Sequence, residues 1–325
     1  MQTSTYIRSV AGFLAAIREH SSEHELTLFR GQPNRRRSLL PAIARQAHAA
    51  TLDTERQVLD MFRHYGGEDV EVAGRYHEAA GTHSMTSTPS PYWHLLAQAQ
   101  QFGLKTRLLE WSSNPLIALW FACQKAGAEP YVYLLNACKL NDVDYGSDPF
   151  ELTETRVFPP TFDHATHPQL AAQKSWYTIH PSFSAGSAES ADLAETQTGF
   201  VPLEKEAISQ GRLVELPILP SMKTSLLAEL ASHGIDQRSV SPGLAGLCQH
   251  LNSLLEPESR SGGGAAQGLE LSLMKNEMMG QDTAAAFSRL SSARQTASSS
   301  AAYRHEPQGG LRQYRKHYSS DFDFD

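Results

Sequence analysis

Cysteine is scarce in this chain. Cys123, Cys138 and Cys248 are the three among 325 residues, widely spaced and without a C-x-x-C pair, so neither a disulfide framework nor a thiolate zinc site is indicated and reduced, mostly buried thiols are expected. Long apolar runs are missing too. No stretch approaches the roughly 18 residues of a membrane span, and Met1 to Val10 lacks a basic stretch followed by an apolar core. A cytoplasmic protein with no membrane partner is the expectation. G-x-S-x-G, the P-loop, G-x-G-x-x-G and H-E-x-x-H are all absent, which removes the common hydrolase and nucleotide-fold signatures. His164 and His167 are three apart, but Pro168 and the want of a third ligand argue against a metal.

An excess of positive charge is also lacking. The net charge is −7, from 28 Lys+Arg and 35 Asp+Glu. Residues 257–325 hold 8 of each, leaving 20 basic and 27 acidic residues in 1–256, so the body carries the whole imbalance. Bulk attraction to nucleic acid is not suggested, although a local basic patch can still bind phosphate.

With 40% hydrophobic and 19% charged residues the composition is that of a globular protein. The 69 residues of 257–325 contain 11 Ser, 9 Ala and 7 Gly, small side chains that bury little surface against chain entropy. They read as a flexible tail that is either solvated or a segment for binding a partner. One helix near residues 269–290 is expected to fluctuate.

Tyr6, Ile7, Val10, Phe13, Leu14 and Ile17 recur at helical spacing, predicting an N-terminal helix over 5–19 within a leading segment 1–24. In Glu25 to Arg30 the leucines alternate with polar residues until Gly31 and Pro33. A strand there carries Arg30 at its end, on the side of Leu26 and Leu28, where an inward arginine needs an anionic or carbonyl partner. Helices are predicted over 54–64 and 92–101. Another opens at Asn114-Pro115, a capping residue followed by proline at the first helical position, and runs apolar nearly all round to Gly127. Strands are predicted at 131–135, 176–180 and 213–219, the last at a sheet edge because of Pro217. Ser221 is expected to cap a helix ended by Gly234, and a final helix covers about 243–255. Residues 183–213 are polar and read as a long loop. Helices and strands mix without regular alternation, so the fold class is α+β, a single domain with an open mixed or antiparallel sheet flanked by helices.

Three segments invite chemistry. Phe29-Arg30-Gly31-Gln32 with Arg35-Arg36-Arg37 is the densest basic cluster: a guanidinium fork suits phosphate and the glycine lets a ligand approach the backbone, but a buried ion pair for Arg30 reads as well. Residues 98–111, QAQQFGLKTRLLEW, sit between two helices and mix Gln101, Thr106, Arg107 and Glu110 with large apolar groups, as a structural polar network or a ligand pocket. Thr106, Arg107, Ser112 and Asn114 stand near a helix N-terminus that favours phosphate, unless Arg107 pairs with Glu110 and Asn114 only caps. Gln173, at the entrance to the strand predicted from Trp176, is expected to hydrogen-bond a ligand or a loop backbone.

At these residues the sequence resembles the FRG domain family, named for its Phe-Arg-Gly motif. Phe29-Arg30-Gly31-Gln32 matches that motif and Leu39 to Arg45 its L-x-P-S-x-x-R continuation. Glu55 to Phe62 is similar to its E-x-x-x-x-x-x-F helix, and Ala99 to Cys123 to its A-Q-H-Y-G-L-P-T-R-L-L-D-W-T-x-N-P-L segment. Gln173 to His180 and Lys223 to Leu251 resemble later motifs, so the FRG-like region covers 25–256. Gln101 stands where the family has histidine, Lys105 where it has proline, Glu110 where it has aspartate and Ser175 where glycine is usual. The resemblance leads to an analogy of element order with ADP-ribosyltransferases, in which an arginine holds the phosphates or ribose of NAD, a serine-rich segment orients the ribose and a Glu or Gln assists transfer. It implies an ADP-ribosyltransferase-like fold with Arg30, Gly31 and Gln32 at the phosphates, Gln101, Thr106, Arg107, Ser112 and Asn114 as further ligand contacts, and Glu110 or Gln173 as the catalytic group. NAD would be the substrate, with a protein or nucleic-acid target, as in a toxin-like or anti-phage effector of bacterial defence. The alternative is a non-catalytic module that binds a phosphate-bearing ligand or nucleic acid.

Overall fold

The structure is a computed structural model that describes residues 6–21, 26–34, 38–45, 52–67, 70, 89–125, 129–137, 140, 143–160, 167–182 and 199–253. The expectations for Arg35 to Arg37, His164, residues 183–198 and the tail from 257 lie outside the described residues. The chain divides into a main unit, Met1–Leu247, and a second beginning at Cys248. The sheet belongs wholly to the main unit.

Six strands form it: β1 (Thr27–Gln32), β2 (Leu108–Ser112), β3 (Tyr131–Asn136), β4 (Arg156–Phe158), β5 (Ser175–Ile179) and β6 (Leu213–Pro217), in the order β4-β5-β2-β1-β3-β6. Every paired neighbour is antiparallel. The one parallel contact among the described residues is a bridge from Ile7 to Ile218, where Ile7 N–H donates to Pro217 O at 2.8 Å and Leu219 N–H to Ile7 O at 3.0 Å. The α+β class is borne out, and Pro217 lies on an edge strand as its missing donor requires.

The helices are α1 (Val10–His20), α2 (Leu52–Gly66), α3 (Pro91–Gln101), α4 (Pro115–Gln124), α5 (Pro168–Gln173), α6 (Lys223–Ser232), α7 (Gln237–Val240) and α8 (Leu244–Ser253). The first starts later than its periodicity suggested. Ser9 Oγ accepts the Gly12 N–H at 3.1 Å and caps it, while Ile7 is spent on the sheet edge. Ser221 does not cap α6; it sits in a 3-10 turn, Pro220–Met222, from which the helix emerges. Asn114 does cap α4, its Oδ1 accepting from Leu116 N–H at 3.0 Å. None of the described helices is long and apolar enough to cross a membrane.

Strand alternation distributes the apolar side chains between two layers. Phe29, Val132, Leu134 and Leu216 face α1, α4 and α6 through Phe13, Ile117, Leu119, Leu226 and Leu230. Farther along the same face Leu108, Tyr177 and Ile179 meet Leu59 of α2 and Trp93 and Leu96 of α3. Leu28, Leu109, Trp111, Tyr131, Tyr133 and Leu135 line the opposite face with Leu39, Leu140 and Leu203. Part of the expected long loop is folded against that second face as two 3-10 turns, Leu203–Lys205 and Ala207–Ser209. Trp111 Nε1–H donates to Thr178 Oγ1 at 3.0 Å, Thr178 Oγ1 lies 3.0 Å from His180 Nε2, and His180 Nδ1 lies 3.2 Å from Glu206 Oε1 between the turns.

Cys123 is buried in the core, which pushes its thiol up to about 12. Cys248 is exposed, against expectation, because the third thiol lies on an outward face of α8.

Candidate functional site

Arg30 lies on β1 beside Tyr133, on the face of Leu28 as alternation predicts. Its Nη1 donates to the Glu110 backbone carbonyl at 2.7 Å. One partner is therefore a main-chain carbonyl, of the kind an inward arginine needs. Burial, then the nearby Arg45 charge, lower the guanidinium to about 10, with Glu110 opposing; it remains a cation at neutral pH. The residue as a whole is half-buried, with its Nε sealed from solvent.

Glu110 is also half-buried, in the middle of β2 and paired with Tyr177 across the sheet. Its Oε1 accepts the Ser175 hydroxyl at 2.9 Å. Burial raises the carboxyl above its ordinary range, while Ser175, the Arg30 charge and Gln101 pull it down. Gln101, the last residue of α3, donates from Nε2 to Tyr177 Oη at 2.9 Å. Tyr177 is held well above the usual phenol value, by burial first and then by the Glu110 charge. Gln101, Glu110, Ser175 and Tyr177 thus form one group on the Phe29 face of the sheet, and Arg30, on the opposite face, meets it through the Glu110 main chain.

The other expected residues go elsewhere. Arg107 does not pair with Glu110. Its side chain is fully buried, with Nε–H on Glu55 Oε2 at 2.8 Å, Nη2 2.7 Å from the same oxygen, and its backbone N–H on Oε1 at 2.9 Å. Phe150 stacks 4.5 Å from the guanidinium carbon. Thr106 Oγ1 donates to Gln100 Oε1 at 2.6 Å and accepts from Leu108 N–H at 3.2 Å. Ser112 Oγ donates to Gln173 O at 2.6 Å and accepts from Asn114 N–H at 3.0 Å. These bonds set the turn from β2 into α4. Gln173 ends α5, two residues before β5, at the strand entrance as expected; its Nε2 donates to Val240 O at 3.1 Å, the backbone option among its two readings.

Gly31 has a different purpose from the one its motif suggested. A Cβ on it would fall on the Ala118 carbonyl oxygen and 2.7 Å from Ala122 N. Its missing side chain admits the α4 backbone against β1, not a ligand. Gln32 is 5% exposed, and its Oε1 has no hydrogen-bond partner among the described residues.

Ser175, Tyr177, Arg45 and Glu55 were not singled out as site residues from the sequence. Ser175 had the clearest signal, since it stands where the resembled family has glycine. The remaining three sit beside Glu110, Arg30 and Arg107 only because of the tertiary arrangement.

Compared with known proteins, residues 25–130 match the family model described as the FRG domain. The match spans β1, β2 and α4 with Arg30 and Glu110, and ends just before β3. No curated protein and no solved structure matches the chain.

Proposed function

We propose, for a chain that contains an FRG domain, an NAD-utilising transfer reaction of the ADP-ribosyltransferase kind onto a protein or nucleic-acid acceptor. One observation carries the reading. Arg30, which the order analogy gives to the phosphates, stands on β1, and Ser112 and Glu110, which it gives to the ribose and to catalysis, stand on the adjacent β2, with Phe29 and Ser112 in register and Ser175 of β5 beside them. Arg30 bonds the Glu110 backbone and Ser175 bonds the Glu110 carboxylate.

In this reaction the ribose–nicotinamide bond breaks and its electron pair leaves with nicotinamide. The acceptor oxygen or nitrogen then bonds to the ribose carbon and gives up its proton. Arg30 supplies a permanent charge for the pyrophosphate. Glu110, ionised, balances the positive charge that develops on the ribose and accepts the acceptor's proton. Gln173 is committed to Val240, so the carboxylate role falls to Glu110.

Purified protein incubated with labelled NAD and cell lysate is expected to release nicotinamide and label an acceptor, and Arg30→Ala and Glu110→Gln are expected to abolish both. Burial raises Glu110 and the ionised form is the working one. The rate should therefore rise with pH along a limb lying above the usual carboxylate range. A raised carboxyl favours the fold while protonated and loses that contribution as pH rises through its folded value, so Glu110→Gln should be no less stable than wild type above it. Absence of release by the wild-type protein, or release indifferent to both substitutions, would sink the reading.

A second reading, a non-catalytic phosphate-binding module, is favoured by Gln101, which puts an amide where the resembled family has histidine. Retained ADP-ribose or short RNA without nicotinamide release would select it.

A further inference from the structure

Gln32 is the last residue of β1 and two positions beyond Arg30, so the two side chains start on the same sheet face about 6.6 Å apart along the strand. Tyr131 and Tyr133, their cross-strand partners, stack with ring centroids 6.4 Å apart. On this face the Gln32 amide is nine-tenths buried with an acceptor oxygen that nothing among the described residues satisfies. Leaving such a group unpaired costs stability, and native structures keep few of them. An apolar side chain of the same length would serve the packing better, which points to a purpose outside the fold.

We propose that Gln32 is a specificity-determining residue of the Arg30 site, its side-chain amide accepting a hydrogen from a sugar hydroxyl of a nucleotide whose phosphate Arg30 holds. The inference rests on the phosphate-holding role of Arg30 in the transferase reading and adds the class of ligand, a ribose phosphate in place of a bare anion. The two-residue step along the strand is comparable to the distance between a nucleotide's phosphate and its sugar hydroxyls. The acceptor has a donor to receive only when the sugar is present.

The test compares wild type, Gln32→Met and Arg30→Ala for binding of ADP-ribose and of inorganic pyrophosphate by calorimetry, with the melting temperature of each ligand-free protein. Gln32→Met should melt at or above wild type, bind pyrophosphate as wild type does, and bind ADP-ribose about tenfold or more weakly, in keeping with the loss of one buried hydrogen bond. Arg30→Ala should weaken both ligands. A Gln32→Met protein that melts several degrees lower assigns the amide a structural purpose and overturns the proposal; so does unchanged ADP-ribose affinity, or a wild type that binds neither probe. The transferase reading fails separately. Nicotinamide release that needs Arg30 and Glu110 but shows the same KM for NAD in Gln32→Met would leave that reading standing and remove this one. The expected binding pattern without any nicotinamide release would do the reverse.

Discussion

Three consecutive residues of β1 have three different tasks. Phe29 enters the layer beneath α1 and α4, Arg30 emerges on the other face toward the Glu110 carbonyl, and Gly31 is where α4 rests on the strand. Gly31→Ala should therefore act on stability and not on ligand affinity. Because the added methyl meets backbone, which cannot swing aside, the cost should be at the upper end of overpacking, about 3 kcal/mol. Chemical denaturation would read this as a lowered midpoint. An alanine variant as stable as wild type would mean that α4 does not bear on β1 in this way.

At the scale of elements, the Glu55–Arg107 pair joins α2 to the start of β2 across 52 positions of sequence. Both groups are sealed, the side chains 3% and 0% exposed. Glu55→Ala would leave the guanidinium buried without its counter-charge, a loss of about 3–5 kcal/mol. The double change Glu55→Leu with Arg107→Met should recover most of it in equilibrium unfolding; a double variant no better than the single would show that the pair does more than balance charge. This link also explains what could be read from the chain in advance. Asn114-Pro115 announced α4 and the apolar run announced β3, since caps and periodicity are local. β2 is not among the strands predicted, and Leu108 and Leu109 break the alternation that marks a half-buried one. They do so because a central strand is buried on both faces, one leucine in each layer. β4, three residues long, is too short to show a period. Arg107 and Gln173 stood out correctly as polar residues needing partners, but Glu55 and Val240 lie 52 and 67 residues away and no local pattern pairs them.

For the molecule as a whole, the sheet order brings segments far apart in the chain into one site. Arg30 reaches the Glu110 main chain and Ser175 the Glu110 carboxylate only because β1, β2 and β5 are neighbours. The part of the site on β1 and β2 was legible in the motifs, and those two strands lie within the matched FRG region. Ser175 and Tyr177 lie beyond it. The order also leaves β4 and β6 at the two borders, and the bridge from Ile7 to Ile218 bears on the second of these. Pro217 has no N–H to offer there, and Ile7 engages its carbonyl. A bare strand border is a template for another chain. We expect the short stretch before α1 to act as a built-in stopper against self-assembly: removing residues 1–8 should convert the protein to concentration-dependent oligomers on size-exclusion chromatography with its melting point only modestly lowered, and a truncated protein that still elutes unchanged would show that the border needs no guard. Anything fused upstream of Tyr6 would hang from that stopper, so the first few residues are the wrong place for a tether that pulls.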